Sequence, residues 1–139
     1  MRVLIDTNIL IDYISKNPLF FEKSREIIRL CSEKRIDGCI AAHSITNAFY
    51  ILRKELTVEE RKSALLDICL IISVIGIDKA KIISSLKNNS FDDLEDCLQS
   101  ECAAAFSGDY IITRDSQGFI NSGVPAISPE DFLKELKAE

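Results

Sequence analysis

Short, nearly continuous apolar runs alternate with longer stretches of helical periodicity along this chain. The runs cover residues 2–5, 38–42, 70–75, 110–113 and 124–127. They show little in–out alternation, and the third (Leu-Ile-Ile-Ser-Val-Ile) is rich in β-branched residues. Runs of this length and texture suit strands of a parallel sheet covered on both faces.

The intervening segments read as helices over 20–34, 44–56, 58–69, 78–87 and 92–107, with another after Ser128-Pro129. In 44–56, Ile45, Ala48, Phe49, Leu52 and Leu56 form one stripe at helical spacing. In 92–107 the expected apolar face is Leu94, Cys97, Leu98, Cys102 and Ala105, with Ser90 as cap and Gly108 as stop. Pro129 falls at a first helical position, where its missing N–H costs nothing. Parallel strands require crossovers, and these helices supply them. The expectation is one three-layer α/β/α domain spanning residues 1–139.

Composition adds limits. Apolar residues are 47% and charged residues 28% of the 139, ordinary for a globular chain. The net charge of −5 excludes a basic nucleic-acid coat or a polybasic membrane binder, though not a local basic surface. The cysteines at 31, 39, 69, 97 and 102 form no C-x-x-C pair and sit among apolar neighbours. They read as small hydrophobes in a reducing compartment. Met-Arg-Val-Leu-Ile-Asp lacks a signal-peptide pattern, and no apolar stretch is long enough for a membrane span. A cytoplasmic location is expected.

In an open α/β sheet, ligands bind beyond the carboxyl ends of the strands. Carboxylates dominate those places here. Asp6 follows the first run directly, Asp115 follows the fourth through Thr113-Arg114, and Asp92-Asp93-Leu-Glu95-Asp96 opens the helix before the fourth. Clustered carboxylates repel, and a hard divalent cation such as Mg²⁺ or Mn²⁺ relieves that repulsion. Each acid also has a simpler use. Asp6 alone is as readily a turn former. Asp92 complements a helix N-terminus, Asp78 caps a helix, and Asp12 and Glu95 belong to solvated surface. Asp96 is harder to dismiss, since it shares a helix face with Asp92 and Asp93, where like charges destabilise. His43, the only histidine, reads as a helix-start residue.

Three ordered motifs carry a resemblance: Leu-Ile-Asp6-Thr7-Asn8-Ile-Leu, Asp93-Leu-Glu-Asp96-Cys-Leu-Gln and Tyr-Ile-Ile-Thr113-Arg114-Asp115. Together they resemble a PIN domain, especially the small prokaryotic PIN proteins typified by VapC-type toxins, over residues 1 to about 127. The resemblance implies a five-stranded parallel sheet in the order 3-2-1-4-5. It also implies a Mg²⁺- or Mn²⁺-dependent endoribonuclease, commonly a homodimer held by a cognate antitoxin. Asp6, Asp96 and Asp115 match the first, third and fourth family acids, and Asp93 matches an additional one. The second acid, usually a glutamate early in the helix after strand two, is missing. Phe49 occupies its register in His43-Ser-Ile-Thr46-Asn47-Ala-Phe49, and Asn47 stands nearby as a neutral ligand or water-orienting group.

The function expected is hydrolysis of RNA phosphodiester bonds by Asp6, Asp93, Asp96 and Asp115 around one or two cations. Thr7, Asn8, Asn47, Thr113 and Arg114 stand behind them, with Arg114 free to contact the RNA backbone. The alternative is a degenerate PIN module that binds RNA or a partner without cleaving. A phosphate-transfer receiver would need paired acids after the first strand and a lysine after the last, which Ile127-Ser-Pro does not supply. Nucleic acid would approach past scattered cations such as Arg53, Lys54, Lys79 and Lys81, and no aromatic stacking platform is legible. The helices over 44–69 are the expected dimer surface.

Overall fold

The computed structural model describes residues 1–138. Strands β1 (Arg2–Ile5), β2 (Asp37–Ala41), β3 (Ser73–Ile75), β4 (Tyr110–Ile112) and β5 (Ala126–Ile127) form one sheet in the order β3-β2-β1-β4-β5. Every neighbouring pair is parallel, and the register sets Ile5 opposite Ile112 and Leu4 opposite Cys39. The fold is therefore the expected three-layer α/β architecture.

Among the described residues six α-helices connect the strands, α1 (Thr7–Ser15), α2 (Phe21–Ser32), α3 (Ala42–Ile51), α4 (Val58–Ile71), α5 (Lys79–Lys87) and α6 (Leu94–Ala105), and α7 (Pro129–Ala138) follows β5. Strand alternation divides the core. Val3 and Ile5 face a cluster with Ile9 and Leu10 of α1, Ile27 of α2, Ala48 of α3, Ile68 of α4 and Phe132 of α7. Leu4 faces the other side, with Cys102, Ala103 and Phe106 from the α6 region. The three apolar side chains of β1 are fully buried, each contributing about 1.5–3 kcal/mol. The central strand is thus the anchor of both layers, and the residue that follows it is rigidly placed.

Several local expectations are corrected. The run over 70–75 is not one strand. Helix α4 continues to Ile71, Ile72 still donates to the Ile68 carbonyl, and only Ser73–Ile75 pairs, with β2 alone. Leu70 is left exposed at the helix end. Ser90 does not cap α6: Asp93 does, accepting from the Asp96 amide at 3.1 Å, which puts Asp96 inside the first turn. The Ser90 amide instead donates to Asn88 Oδ1. Nor is Gly108 the left-handed stop; Ser107 takes that conformation, with φ of 56°. Leu94 and Ala105 are exposed, because the face that α6 packs on the sheet carries Gln99, Ser100 and Ala103 beside Cys97, Leu98 and Cys102. Cys69 is exposed, unlike the other four thiols. Asp12 is 2% exposed rather than solvated, and it is ion-paired with Arg114 at 2.6 Å. Asp78 does cap α5, accepting from the Lys81 amide.

Candidate active site

The strand order reverses between β1 and β4, so a crevice opens beyond their carboxyl ends. Asp6 leaves β1 there with extended dihedrals and caps α1, taking the Thr7 amide on Oδ1 at 2.7 Å. Gln99 Nε2 donates to the same oxygen at 2.8 Å. Thr113, at the end of β4, donates its hydroxyl to Oδ2 at 2.6 Å and accepts the Asp115 amide at 2.9 Å. A single buried threonine thus fixes Asp6 and Asp115 relative to each other. Asp6 is 6% exposed, so three donors orient a carboxylate that water scarcely reaches.

Asp6 shares a cleft of about 450 Å³ with Asp93, Asp96 and Asp115, and with Thr7, Asn8 and Asn47. Asp96 is half-buried, and burial first, then repulsion from Asp93, Asp6, Asp115 and Glu95, pushes its carboxyl up to about 7. Asp115 caps the short 3-10 turn Ser116–Phe119. That turn brings the Gly118 backbone against two of the acids. A Cβ at Gly118 would stand 2.7 Å from Asp96 Oδ2 and 3.1 Å from Asp115 Oδ2.

Not every expected residue is free to act in the cleft. Arg114 points away, donating to both oxygens of Asp12 and lying 4.2 Å over the Phe20 ring. It is a tether between α1 and the β4 exit, not a free phosphate contact. Thr7 commits its hydroxyl to Ser44 at 2.7 Å, locking α1 to α3. Phe49 packs on the core beside Ala48 and Leu52, so the register that the resemblance assigns to a glutamate turns inward. Asn47, two residues earlier, does line the cleft. Gln99 was not singled out by the sequence reading, although it lies three residues beyond Asp96 and hence on the same helix face. Ile11, Tyr50 and Ile51, which form the apolar wall, also escaped it.

His43 is partly buried at the start of α3, and burial pushes its imidazole below the usual range, against opposing pulls from Glu95, Asp6 and Asp93. A neutral imidazole adds no competing cation to the acidic cleft.

The donor set suits a hard divalent ion: carboxylates and amide oxygens, with Asn8 Oδ1 buried and without a hydrogen-bond partner. Among the described residues, no three acidic, imidazole or thiol groups already close on one point. A cation would therefore draw the carboxylates together, and Asp93, Asp96 and Asp115 retain the exposure to move.

A family model described as PIN domain matches residues 2–117. The chain belongs to the PIN domain family. Ribonuclease VapC1 of Aquifex aeolicus is 25% identical over 140 residues, covering 96% of this chain and 94% of that protein. The fold matches VapBC2 from Rickettsia felis, solved with a DNA fragment from its promoter, at a TM-score of 0.67 and 17% identity, over 92% of this chain and 98% of that one. Mycobacterium tuberculosis VapC20, a sarcin-ricin loop cleaving toxin, matches at a TM-score of 0.68 and 9% identity, over 88% of this chain and 95% of that one. In this PIN domain the glycine contact yields a direct expectation. Gly118→Ala should lower Mn²⁺ affinity by about tenfold, because the added methyl displaces the Asp96 and Asp115 carboxylates. Titration calorimetry reads this, and a melting temperature close to wild type separates it from misfolding.

Proposed function

We propose that this PIN domain is a divalent-metal-dependent endoribonuclease and the toxin half of a toxin–antitoxin pair. The observation that carries the reading is the convergence of Asp6, Asp93, Asp96 and Asp115 on one cleft at the reversal point of the sheet. A bound Mg²⁺ or Mn²⁺ supplies Lewis-acid polarisation of the phosphoryl group and neutralises the charge that develops on it. Asp93, the cap of α6, and Asp96, in its first turn, would hold the ion together with Asp115 at the β4 exit. Asp6 faces them as the oriented, buried carboxylate, its position fixed by Thr7, Gln99 and Thr113. Asn47 and Asn8 offer neutral oxygens for a ligand or a water.

The RNA preference rests on the family relatives, since these acids act on a phosphodiester whatever its sugar. A homodimer through α4, whose Leu66 and Leu70 are exposed, and a cognate antitoxin belong to the same reading. So does a cytoplasmic location, where the five free thiols stay reduced. A second reading, a PIN module that binds without cleaving, is favoured by one observation: Phe49 is packed inward at the register that the resemblance assigns to a glutamate.

Cleavage of labelled single-stranded RNA in Mn²⁺, Mg²⁺ or EDTA decides between them. Metal-dependent cleavage that falls by about 10³-fold in Asp6→Asn is expected. A folded protein that binds Mn²⁺ and RNA yet cleaves nothing would instead establish the binding module.

A further inference from the structure

The acidic cleft has an apolar wall, and that wall includes an exposed aromatic ring. Tyr50, near the end of α3, is 61% exposed, with Ile51 beside it at 50%. Both line the same cleft as the four acids. The ring is not loose. Arg53 donates from Nη1 to the Tyr50 carbonyl at 2.9 Å, and its Cζ lies 3.7 Å from the ring centroid. One face of the phenol is therefore covered by a guanidinium, while more than half of the side chain remains open to solvent.

The charge around it is unspent. Arg53 and Lys54 are exposed, and neither is in an ion pair among the described residues. By contrast Arg2, Arg25, Arg29 and Arg114 are each tied to a carboxylate. On a chain of net charge −5, two cations without a carboxylate partner thus stand beside Tyr50, Arg53 over its ring and Lys54 next in the chain.

We propose that Tyr50, backed by Arg53, is the stacking platform for an unpaired nucleobase of single-stranded RNA next to the scissile phosphate, with Arg53 and Lys54 receiving the adjoining phosphates. The proposal rests on the ribonuclease reading and names how that substrate is held. Every base presents a π face, so an aromatic ring with an arginine partner holds a strand without reading its sequence. The cations supply a salt-dependent attraction that offsets repulsion from the acids. A base inside a duplex is already stacked and cannot use the platform, so the site selects unpaired strands.

Equilibrium binding in EDTA, where cleavage is suppressed, tests this with the whole chain and a fluorescein-labelled single-stranded RNA. Tyr50→Ala should weaken binding by about 5- to 150-fold, the range expected for loss of one stacked base. Tyr50→Phe should bind as wild type. Arg53→Ala should bind more weakly and lower the slope of log affinity against log salt by about 1. The chain has no tryptophan, so Tyr50→Trp introduces a unique fluorophore whose emission RNA should quench, and duplex RNA should not.

Wild-type affinity in folded Tyr50→Ala, with an indole that RNA does not quench, overturns the proposal. A shift of oligomeric state in that variant with RNA binding intact overturns it too, and marks the strip as a protein contact. Failure of the wild type to bind RNA does the same. The two readings separate cleanly: quenching without metal-dependent cleavage leaves the platform and removes the nuclease, and cleavage with unaltered Tyr50→Ala binding does the reverse.

Discussion

Asp96→Asn is expected to melt at a higher temperature than the wild type and to cleave RNA about 10³-fold more slowly. Folding raises the Asp96 carboxyl from 3.8 to about 7, first through burial and then through repulsion by Asp93, Asp6 and Asp115. The native state therefore holds a proton that the unfolded chain releases between those pH values. With more protons bound in the native form, stability falls as pH rises through that window, and the full penalty is present above pH 7. The complete shift corresponds to about 4 kcal/mol. Solvent screening at this half-exposed position reduces it to about 1–2 kcal/mol.

Asparagine carries no charge at any of these pH values. The gain in melting temperature at pH 8 should therefore be about 2–6 °C and should shrink steadily toward pH 4. Mn²⁺ should raise the wild-type melting temperature and leave the variant nearly unchanged. A variant no more stable than wild type at pH 8 would mean that the acids do not repel one another in the folded protein. Loss of activity alone shows only that Asp96 matters. Loss of activity with a gain in stability shows that the fold holds a charge it would be more stable without, which is the signature of a functional group.

Arg114→Ala is expected to destabilise the protein by about 2–3 kcal/mol, measured by urea denaturation. Asp12 is 2% exposed, and its ion-pair partner is Arg114, whose side chain is 34% exposed. Removing the arginine leaves a carboxylate without its counter-charge in the interior, the costly way to break such a pair. The arginine's own partial exposure sets the loss toward the low end of the range for buried pairs. Contact with the Phe20 ring is lost as well. Replacing both partners, as in Asp12→Asn with Arg114→Met, should recover part of the loss. If Arg114 instead served the substrate, Arg114→Ala would keep its stability and bind RNA more weakly.

The acids that follow strands were readable because an apolar run ending in a carboxylate fixes both the strand and the place where its chain emerges. Asp6 and Asp115 belong to that class, and Thr113 came with them. Asp93 and Asp96 were readable as charges crowded onto one helix face, though the cap that sets their turn was misplaced by three residues. What the pattern does not carry is pairing across long separations. Asp12 and Arg114 lie 102 residues apart, and each taken alone reads as surface. Gln99 was within reach through its spacing from Asp96, but a neutral amide on a helix gives no electrostatic signal until its partner is known. The end of α4 was misread because β-branched residues favour strands only where a neighbour can pair with them, and at Leu70 none does.

Strand β1 is synthesised long before β4, its second neighbour in the sheet. Its partner β4 supplies the Thr113 hydroxyl that orients Asp6, across a separation of 107 residues. At ordinary rates of synthesis that gap takes about 5–20 s to translate. Until β4 is available, β1 lacks one neighbour and Asp6 lacks one of its three donors, while Asp96 and Asp115 are also supplied late. A nascent or prematurely terminated chain ending before residue 113 therefore cannot assemble the acidic cleft. The order of the strands therefore makes the acidic cleft depend on residues 6 to 115 being present together: no shorter stretch of this fold can assemble it.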